Sequence, residues 1–488
     1  TFTSSQRGDS LFIPDFNSLD NSNPTFQRLR QRNVLRRIMG VFGEFSFNYD
    51  DLLYLTVAGR NDWASPLPEK NRSFFYPSGS LSFVVSDIKG IKEATRKWLD
   101  IFRLRSSLAA TNRFPTPYQN QAAFLAQTTS GGGFAYDFNA PNPDLKPERQ
   151  STYELGFEAK FFKNRLGIDF AYYNTTIKDQ IGQLLRLSYG SGFVLNTQNF
   201  TDTRNWGTEI QLTGAPIRTK DFSWNVTLNF NRMRNQVLRM PANLPEFYVS
   251  DTWITNSRGS MFNGGTTTSI GGQTYARNVN GEIIINPATG YPVLNTIYTP
   301  IGDRNPNYTL GINNQFSYKN WSLSVLLDYR NGGDIFNVNE LYRTRRGYSE
   351  RTLDREVARI IPGVLNDANV NSANPTRNTI SVTPMFRSDY WSTIAEDEFI
   401  ERNIKWLRLR DITLGYNFPK AMLSKVKFIS SLNVYATGTD LFLITNYSGL
   451  DPLTNSNTPA TPGVGGFGFD FGTVPLPRTI LIGVRATF

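Results

Sequence analysis

The chain has 488 residues, 39% hydrophobic and 14% aromatic, with 51 Lys plus Arg against 41 Asp plus Glu, and neither Cys nor His. Without Cys there is no disulfide framework or thiolate metal site, and without His the commonest general base and metal ligand is gone, which argues against most hydrolases and metalloenzymes. No stretch approaches the ~18 uninterrupted apolar residues of a transmembrane helix; that excludes a helical membrane protein but leaves open a β-barrel, whose strands alternate apolar and polar residues.

The opening Thr1-Phe2-Thr3-Ser4 has no signal-peptide character, so the sequence reads as a mature product or a fragment. Asp15, Asn17, Asp20, Asn21 and Asn23 could offer oxygen ligands to calcium. The EF-hand spacing with its Gly and bidentate Glu is missing, and no metal site is assigned. Arg28, Arg30, Arg32, Arg36 and Arg37 form the densest basic run. No recognition fold or stacking aromatics accompany it, so no nucleic-acid partner is expected. At the outer end of a barrel strand the run could meet outer-membrane lipid and lipopolysaccharide phosphates, or be solvated or lumen-facing charge.

About 13 strands follow from runs that alternate in polarity with period two. They are expected over 33–48, 51–60, 73–86, 99–111, 150–161, 164–181, 204–215, 221–234, 308–318, 320–331, 404–418, 427–439 and 477–488. Tyr153, Leu155, Phe157, Ala159 and Phe161 alternate with Thr152, Glu154, Glu158 and Lys160, and Leu323, Val325, Leu327 and Tyr329 with Ser322, Ser324 and Asp328. A soluble antiparallel sheet would alternate too, so the connections decide. Short links at Tyr49-Asp50, Phe162–Asn164, Pro216–Lys220, Lys319-Asn320 and Pro419–Val426 alternate with longer ones at 112–149, 182–203, 235–307, 332–403 and 440–476. Outer-membrane barrels sort their connections this way, with short periplasmic turns and long extracellular loops. The last strand puts Ile480, Ile482, Val484, Ala486 and Phe488 on one face. Counting back from a periplasmic Phe488 through an odd number of strands starts the first one outside the cell. A complete single-chain barrel has an even number, so further strands are expected upstream.

The loops hold the remaining candidates. Gly463-Val-Gly-Gly-Phe-Gly468 fits G-x-G-x-x-G, but the strand and helix of a nucleotide fingerprint are missing, and it reads as a surface loop. Glu396, Asp397, Glu398 and Glu401 lead into a strand with diverging side chains; a solvated extracellular rim is expected, not a catalytic carboxylate pair. No enzyme activity, catalytic residue or cofactor is assigned. Phe247, Tyr248, Trp253, Tyr390 and Trp391 are the candidate ligand contacts. Their rings suit sugar faces or peptide side chains; they could equally pack the loops on themselves or touch a partner protein.

Four stretches carry a family resemblance. Asn142-Pro-Asp-Leu-Lys-Pro-Glu148 with Tyr153-Glu-Leu-Gly-Phe157 is similar to a block of TonB-dependent receptors. Ile301-Gly-Asp-Arg-Asn-Pro306, Trp406-Leu-Arg-Leu-Arg-Asp-Ile-Thr-Leu-Gly-Tyr-Asn-Phe-Pro419, and Asn433-Val-Tyr-Ala-Thr-Gly-Thr-Asp-Leu441 with Tyr447, Gly449, Asp451 and Pro452 resemble blocks of the SusC/RagA branch. The resemblance implies an all-β transmembrane antiparallel barrel of roughly 22 strands. This chain would be its C-terminal portion, residues 1–488, with the plug domain absent from it. It further implies a Gram-negative, Bacteroidetes-like outer membrane, and import of a large nutrient, oligosaccharide or oligopeptide. A SusD-like lipoprotein would act as lid, and a TonB complex would engage the missing N-terminal region. A passive channel and a structural or secretion-associated barrel are the alternatives.

Overall fold

The computed structural model describes residues 2–8, 11–14, 16, 18–23, 27–121, 124–127, 133–186, 189–248, 255, 257–386, 389–424, 428–453 and 466–488. Its centre is one antiparallel meander. The strands in path order are β1 (Ile38–Tyr49), β2 (Leu53–Ala64), β3 (Ser73–Val84), β4 (Leu99–Arg113), β5 (Glu148–Phe161), β6 (Leu166–Arg186) and β7 (Leu195–Arg218). They continue through β8 (Phe222–Arg239), β9 (Tyr308–Tyr318), β10 (Trp321–Asn331), β11 (Lys405–Asn417), β12 (Ser431–Thr445) and β13 (Thr479–Thr487). Each strand pairs with its neighbour in sequence, and Asn139–Ala140 joins the sheet off this path, beside β7.

Every expected strand is present, with shifts at the ends. The first begins at Ile38, because Gln27–Asn33 pairs instead with Phe2–Gly8 in a separate ribbon. The connection expected over 182–203 is mostly strand, since β6 runs to Arg186 and β7 starts at Leu195. Three register shifts between Ile177 and Leu185 break the period-two pattern there, which hid the extension from the sequence.

The tight turns follow from local chemistry. Asp50 and Asp51 (φ 52° and 53°) and Phe162, Lys163 and Asn164 (φ 56°, 59° and 60°) take left-handed conformations, the geometry that matches strand twist in two-residue and slightly longer hairpins. These turns lie at one end of the sheet; the connections 240–307, 332–404 and 446–478 lie at the other.

The two faces differ sharply. Phe45, Leu155 and Ile480 are 65%, 41% and 77% exposed on the apolar face, with no layer of the described residues packed over them. An apolar band of this extent faces lipid, and the opposite polar face lines the interior. Aromatic side chains border the band. At the turn end Trp98 stacks on Phe161 (6.1 Å), Trp321 packs on Tyr416 (4.8 Å) and Phe428 stacks on Phe488 (6.2 Å). Toward the loops, Tyr308 lies against Phe230 (5.5 Å) and Tyr329 (6.0 Å). The step from Tyr318 to Tyr308 is about 33 Å along the strand, or about 25 Å across the membrane at a tilt of ~40°, the height of an outer-membrane apolar band. One polar side chain on this face, Asn314, has its amide oxygen satisfied by Trp224 Nε1 (3.1 Å), as hydrocarbon requires.

Face assignment gives a direct test. Leu327→Arg puts a cation on the lipid face near mid-strand and should cost about 2–4 kcal/mol. Ser324→Arg, on the inner face of the same strand, should stay within about 0.5 kcal/mol of wild type. Urea unfolding in phospholipid bilayers, followed by heat-modifiable gel mobility, reads both.

Candidate functional site

The inner face is built rung by rung. Ladder partners place Arg103, Glu158, Asp169, Gln211, Asn229, Gly311, Asp328 and Arg408 side by side on successive strands from β4 to β11. The rung climbs: Arg103 is close to the turn end of β4, and Asp328 is close to the loop end of β10. Arg103 pairs with Glu158, and Arg105 grips Asp169 through two hydrogen bonds (3.0 and 2.5 Å). Gln211 donates to Asn229 (2.9 Å) and Asn231 to Glu209 (3.2 Å). A cavity of about 560 Å³ opens over Arg105, Asp169, Glu209, Gln211, Asn229 and Asp328, within the range of ligand sites.

At the upper end of the rung a bulge redirects side chains. Both ladders of β11 shift register at Arg410, and β12 skips Asp440 and Leu441, with Asp440 at φ 51°. A bulge turns a side chain out of the alternation. Here it brings Arg410 to Asp328 (3.3 Å) and Asp440 (3.5 Å). Arg408, 2% exposed, pairs with Asp440 (3.3 Å) and with Asp451 in the loop after β12.

Above the wall, the three connections 240–307, 332–404 and 446–478 fold as one body. Ile270 and Ile301 come from the first, Phe336, Leu341 and Phe399 from the second and Phe469 from the third, all in one buried cluster. Burying each large side chain contributes about 1.5–3 kcal/mol, so the cluster holds the loops to one another. Two buried guanidinium groups lock its base. Arg304 donates to the carbonyls of Thr268 (3.0 Å) and Phe467 (3.0 Å), and Arg330 to those of Gly332 (3.0 Å) and Arg304 (2.7 Å). Arg330 also lies over the rings of Trp406 (4.8 Å) and Phe467 (5.1 Å). Burial lowers the Arg304 pKa to about 10, which still leaves it a cation at neutral pH. Gly468, at φ 80°, sits against the Arg304 stem where a Cβ would have no room. The segment at Gly466–Gly468 is thus the latch of the cap; residues 463–465 of the G-x-G-x-x-G stretch lie outside the described residues.

The aromatics expected from sequence fall into two separate places. Phe247 packs on Phe200 (4.3 Å) in a cluster with Val237 and Met261. Tyr248, 37% exposed, forms one side of a sandwich in which the buried Arg258 guanidinium lies 4.1 Å from both the Tyr248 and Tyr298 rings. Arg258 is held there by Glu246 (Nε to Oε1 2.9 Å). Tyr390 is buried against Tyr291 (5.7 Å) and Trp391 (4.9 Å), and Trp391 is half-buried. Trp253 lies outside the described residues.

The acidic stretch is not a solvated rim. Glu396 is 2% exposed and accepts from the Gln273 backbone N–H (3.2 Å), tying the second loop to the first. Burial and the neighbouring Glu398 raise the Asp397 carboxyl above the usual range. Glu401 accepts from Asn337 Nδ2 (2.7 Å) and the Ser448 N–H (2.9 Å). Asn21 spends its amide on Ile13 and Phe16 carbonyls (2.8 and 2.7 Å); Asp15 and Asn17 lie outside the described residues. The Arg304 and Arg330 clamps were missed in the sequence, because a cation that binds carbonyls leaves no acidic partner to find by spacing.

Two tests follow. Asp451→Asn leaves Arg408 buried with Asp440 alone and should cost about 3 kcal/mol, the lower end for breaking a buried pair. Limited proteolysis should then nick residues 446–478 faster, with barrel gel mobility unchanged. Asp470, 2% exposed, accepts from Tyr447 Oη (2.6 Å) and Asn339 Nδ2 (2.9 Å), and burial raises its carboxyl above the ordinary range. A raised carboxyl contributes stability below its unfolded pKa of about 4 and loses it as the pH rises through the folded value. Hydrogen-exchange protection of the Phe469–Gly472 amides, corrected for intrinsic rates, should fall from about pH 4 toward neutrality, and Asp470→Asn should abolish that fall.

A profile of the TonB dependent receptor-like, beta-barrel family matches residues 2–324. TonB-dependent receptor P26 of Formosa agariphila is 26% identical over 97% of this chain and 48% of its own length. For TonB-dependent receptor P3 of the same organism the values are 25%, 92% and 45%. For TonB-dependent receptor SusC of Bacteroides thetaiotaomicron they are 24%, 94% and 44%. The chain spans about half the length of these curated relatives. Among solved structures, the RagAB peptide importer in the "closed-closed" state superposes with TM-score 0.72 at 22% identity over 98% of this chain and 50% of that one. The RagAB peptide transporter gives TM-score 0.69 at 22% identity, covering 95% and 48%. At that identity the likeness is one of fold. With two-thirds of its length matched by the family profile, the chain belongs to the TonB-dependent receptor-like β-barrel family and is an outer-membrane protein.

Proposed function

We propose that this chain supplies the wall and extracellular cap of a TonB-dependent importer for a large nutrient, an oligopeptide or oligosaccharide. The observation that carries the reading is the cap. Three connections at one end share a single core above an amide-rich and charged wall, a construction suited to enclosing a solute. Family membership supports TonB-driven uptake, and the likeness to the RagAB peptide transporter and importer favours an oligopeptide. A SusD-like surface lipoprotein is the expected partner on the cap, by analogy with the same relatives. Tyr248, the most exposed of the candidate aromatics described, and the half-buried Trp391 would be the ligand contacts, backed by Phe247 and Tyr390; Trp253 would belong to the first group by its place in the chain. Arg37, exposed just before β1, and Arg36, over the Phe114 ring (5.7 Å), would meet lipopolysaccharide phosphates.

The test uses cells carrying the full-length transporter with its co-expressed lipoprotein. Uptake of a fluorescent oligopeptide digest and of a labelled oligosaccharide mixture is followed with and without a proton uncoupler. Import of one of them should stop with the uncoupler. Uptake that continues unchanged would mean a passive channel, and no uptake of either would exclude both solute classes.

A further inference from the structure

Among the described residues, each charge lining the inner-wall cavity has an ion-pair partner except at one position. Arg105 is taken by Asp169, and Asp328 by Arg410. Glu209, exposed on β7, forms no ion pair among the described residues; its described hydrogen-bond partner is the uncharged Asn231 amide. Beside it, Gln211 and Asn229 are joined by a single hydrogen bond (2.9 Å), which leaves one amide with a spare acceptor and the other with spare donors toward the cavity. Opposite Asn229 stands Gly311, where an added Cβ would meet only the Asn229 Cβ at 3.9 Å. The wall has no side chain there, and the missing volume is part of the 560 Å³ cavity.

We propose that Glu209 and the Gln211–Asn229 amides form a subsite for an ammonium or guanidinium group on a peptide in the lumen. The proposal rests on the import reading and deepens it by assigning a preferred charge. An uncompensated carboxylate attracts a cation through the low-dielectric walls of a cleft. The Gln211 Oε1 that its bond to Asn229 leaves free adds an acceptor for a multi-donor head. Gly311 gives the aliphatic stem room to lie against the sheet. The same carboxylate repels acidic solutes, so the wall discriminates as well as binds.

The full-length transporter, purified in detergent with its lipoprotein, is titrated at low ionic strength with three blocked hexapeptides of one sequence, carrying lysine, acetyl-lysine or glutamate at two positions. The lysine form should bind about three- to fivefold tighter than the acetyl-lysine form, the worth of a partly exposed ion pair, and the glutamate form weaker than either. Glu209→Gln should remove the preference between lysine and acetyl-lysine. Gly311→Leu should remove it too, although the carboxylate is retained. A wild type without the preference, or an unchanged preference in Glu209→Gln, overturns the proposal. So does a Glu209→Gln protein with a lowered melting temperature and intact preference, because Glu209 would then be paired by a basic residue of the transporter itself. Uptake that survives the uncoupler removes the import reading without touching this comparison, so the two failures are separable.

Discussion

In hydrocarbon a backbone N–H or C=O without a partner costs several kcal/mol, and no water is present to supply one. The strand ladder is therefore the constraint from which the rest of this molecule follows. A meander meets it with the least topology: each strand from β2 to β12 is paired on both sides by its neighbours in sequence. Once the ladder fixes the registers, alternation fixes the faces, and a one-residue slip in any pair would turn polar side chains toward lipid. Most register shifts sit near strand ends, as at Lys160/Phe161 and between Ile177 and Leu185. The bulge at Arg410 is the exception, and its freed side chain is absorbed by Asp328 and Asp440.

The same chain uses a second kind of physics above the membrane. The cap has a core of Phe, Ile and Leu buried against one another, as in a water-soluble domain, together with short strands and the helix Val338–Arg345. Its polar seams are unusual in relying on guanidinium-to-carbonyl bonds. Arg304 and Arg330 reach irregular backbone that has no ladder partner, and their flat faces cover the aromatic rings beside them. The Arg408–Asp451 pair then ties this cap to the barrel rim.

What could be read from the sequence divides along this line. Strands such as Leu323–Tyr329 and Ile480–Phe488 were legible because a single period governs them and each has one apolar face. The extensions of β6 and β7 were not, because bulges disturb the period. The cap was illegible for a deeper reason: its core residues, from Ile270 to Phe469, are brought together across loops with no repeating spacing. Sequence blocks that mark the family turn out to sit at the seams. Ile301–Pro306 holds Arg304, Trp406–Pro419 holds Arg408, and the final block holds Asp440 and Asp451. The loop aromatics were found by residue type, but type alone did not separate Tyr248, at a surface, from Tyr390, inside.

A shared core also limits how such a cap can change. Ile270, Phe399 and Phe469 belong to different loops yet fill one another's packing space, so a new length or residue in one loop is felt by the other two. Specificity at this end of the barrel would then be inherited and exchanged as a set of three loops, not one loop at a time. A chimera that grafts residues 332–404 alone from a relative would inherit a mismatched core, whereas moving 240–307, 332–404 and 446–478 together would carry the cap intact.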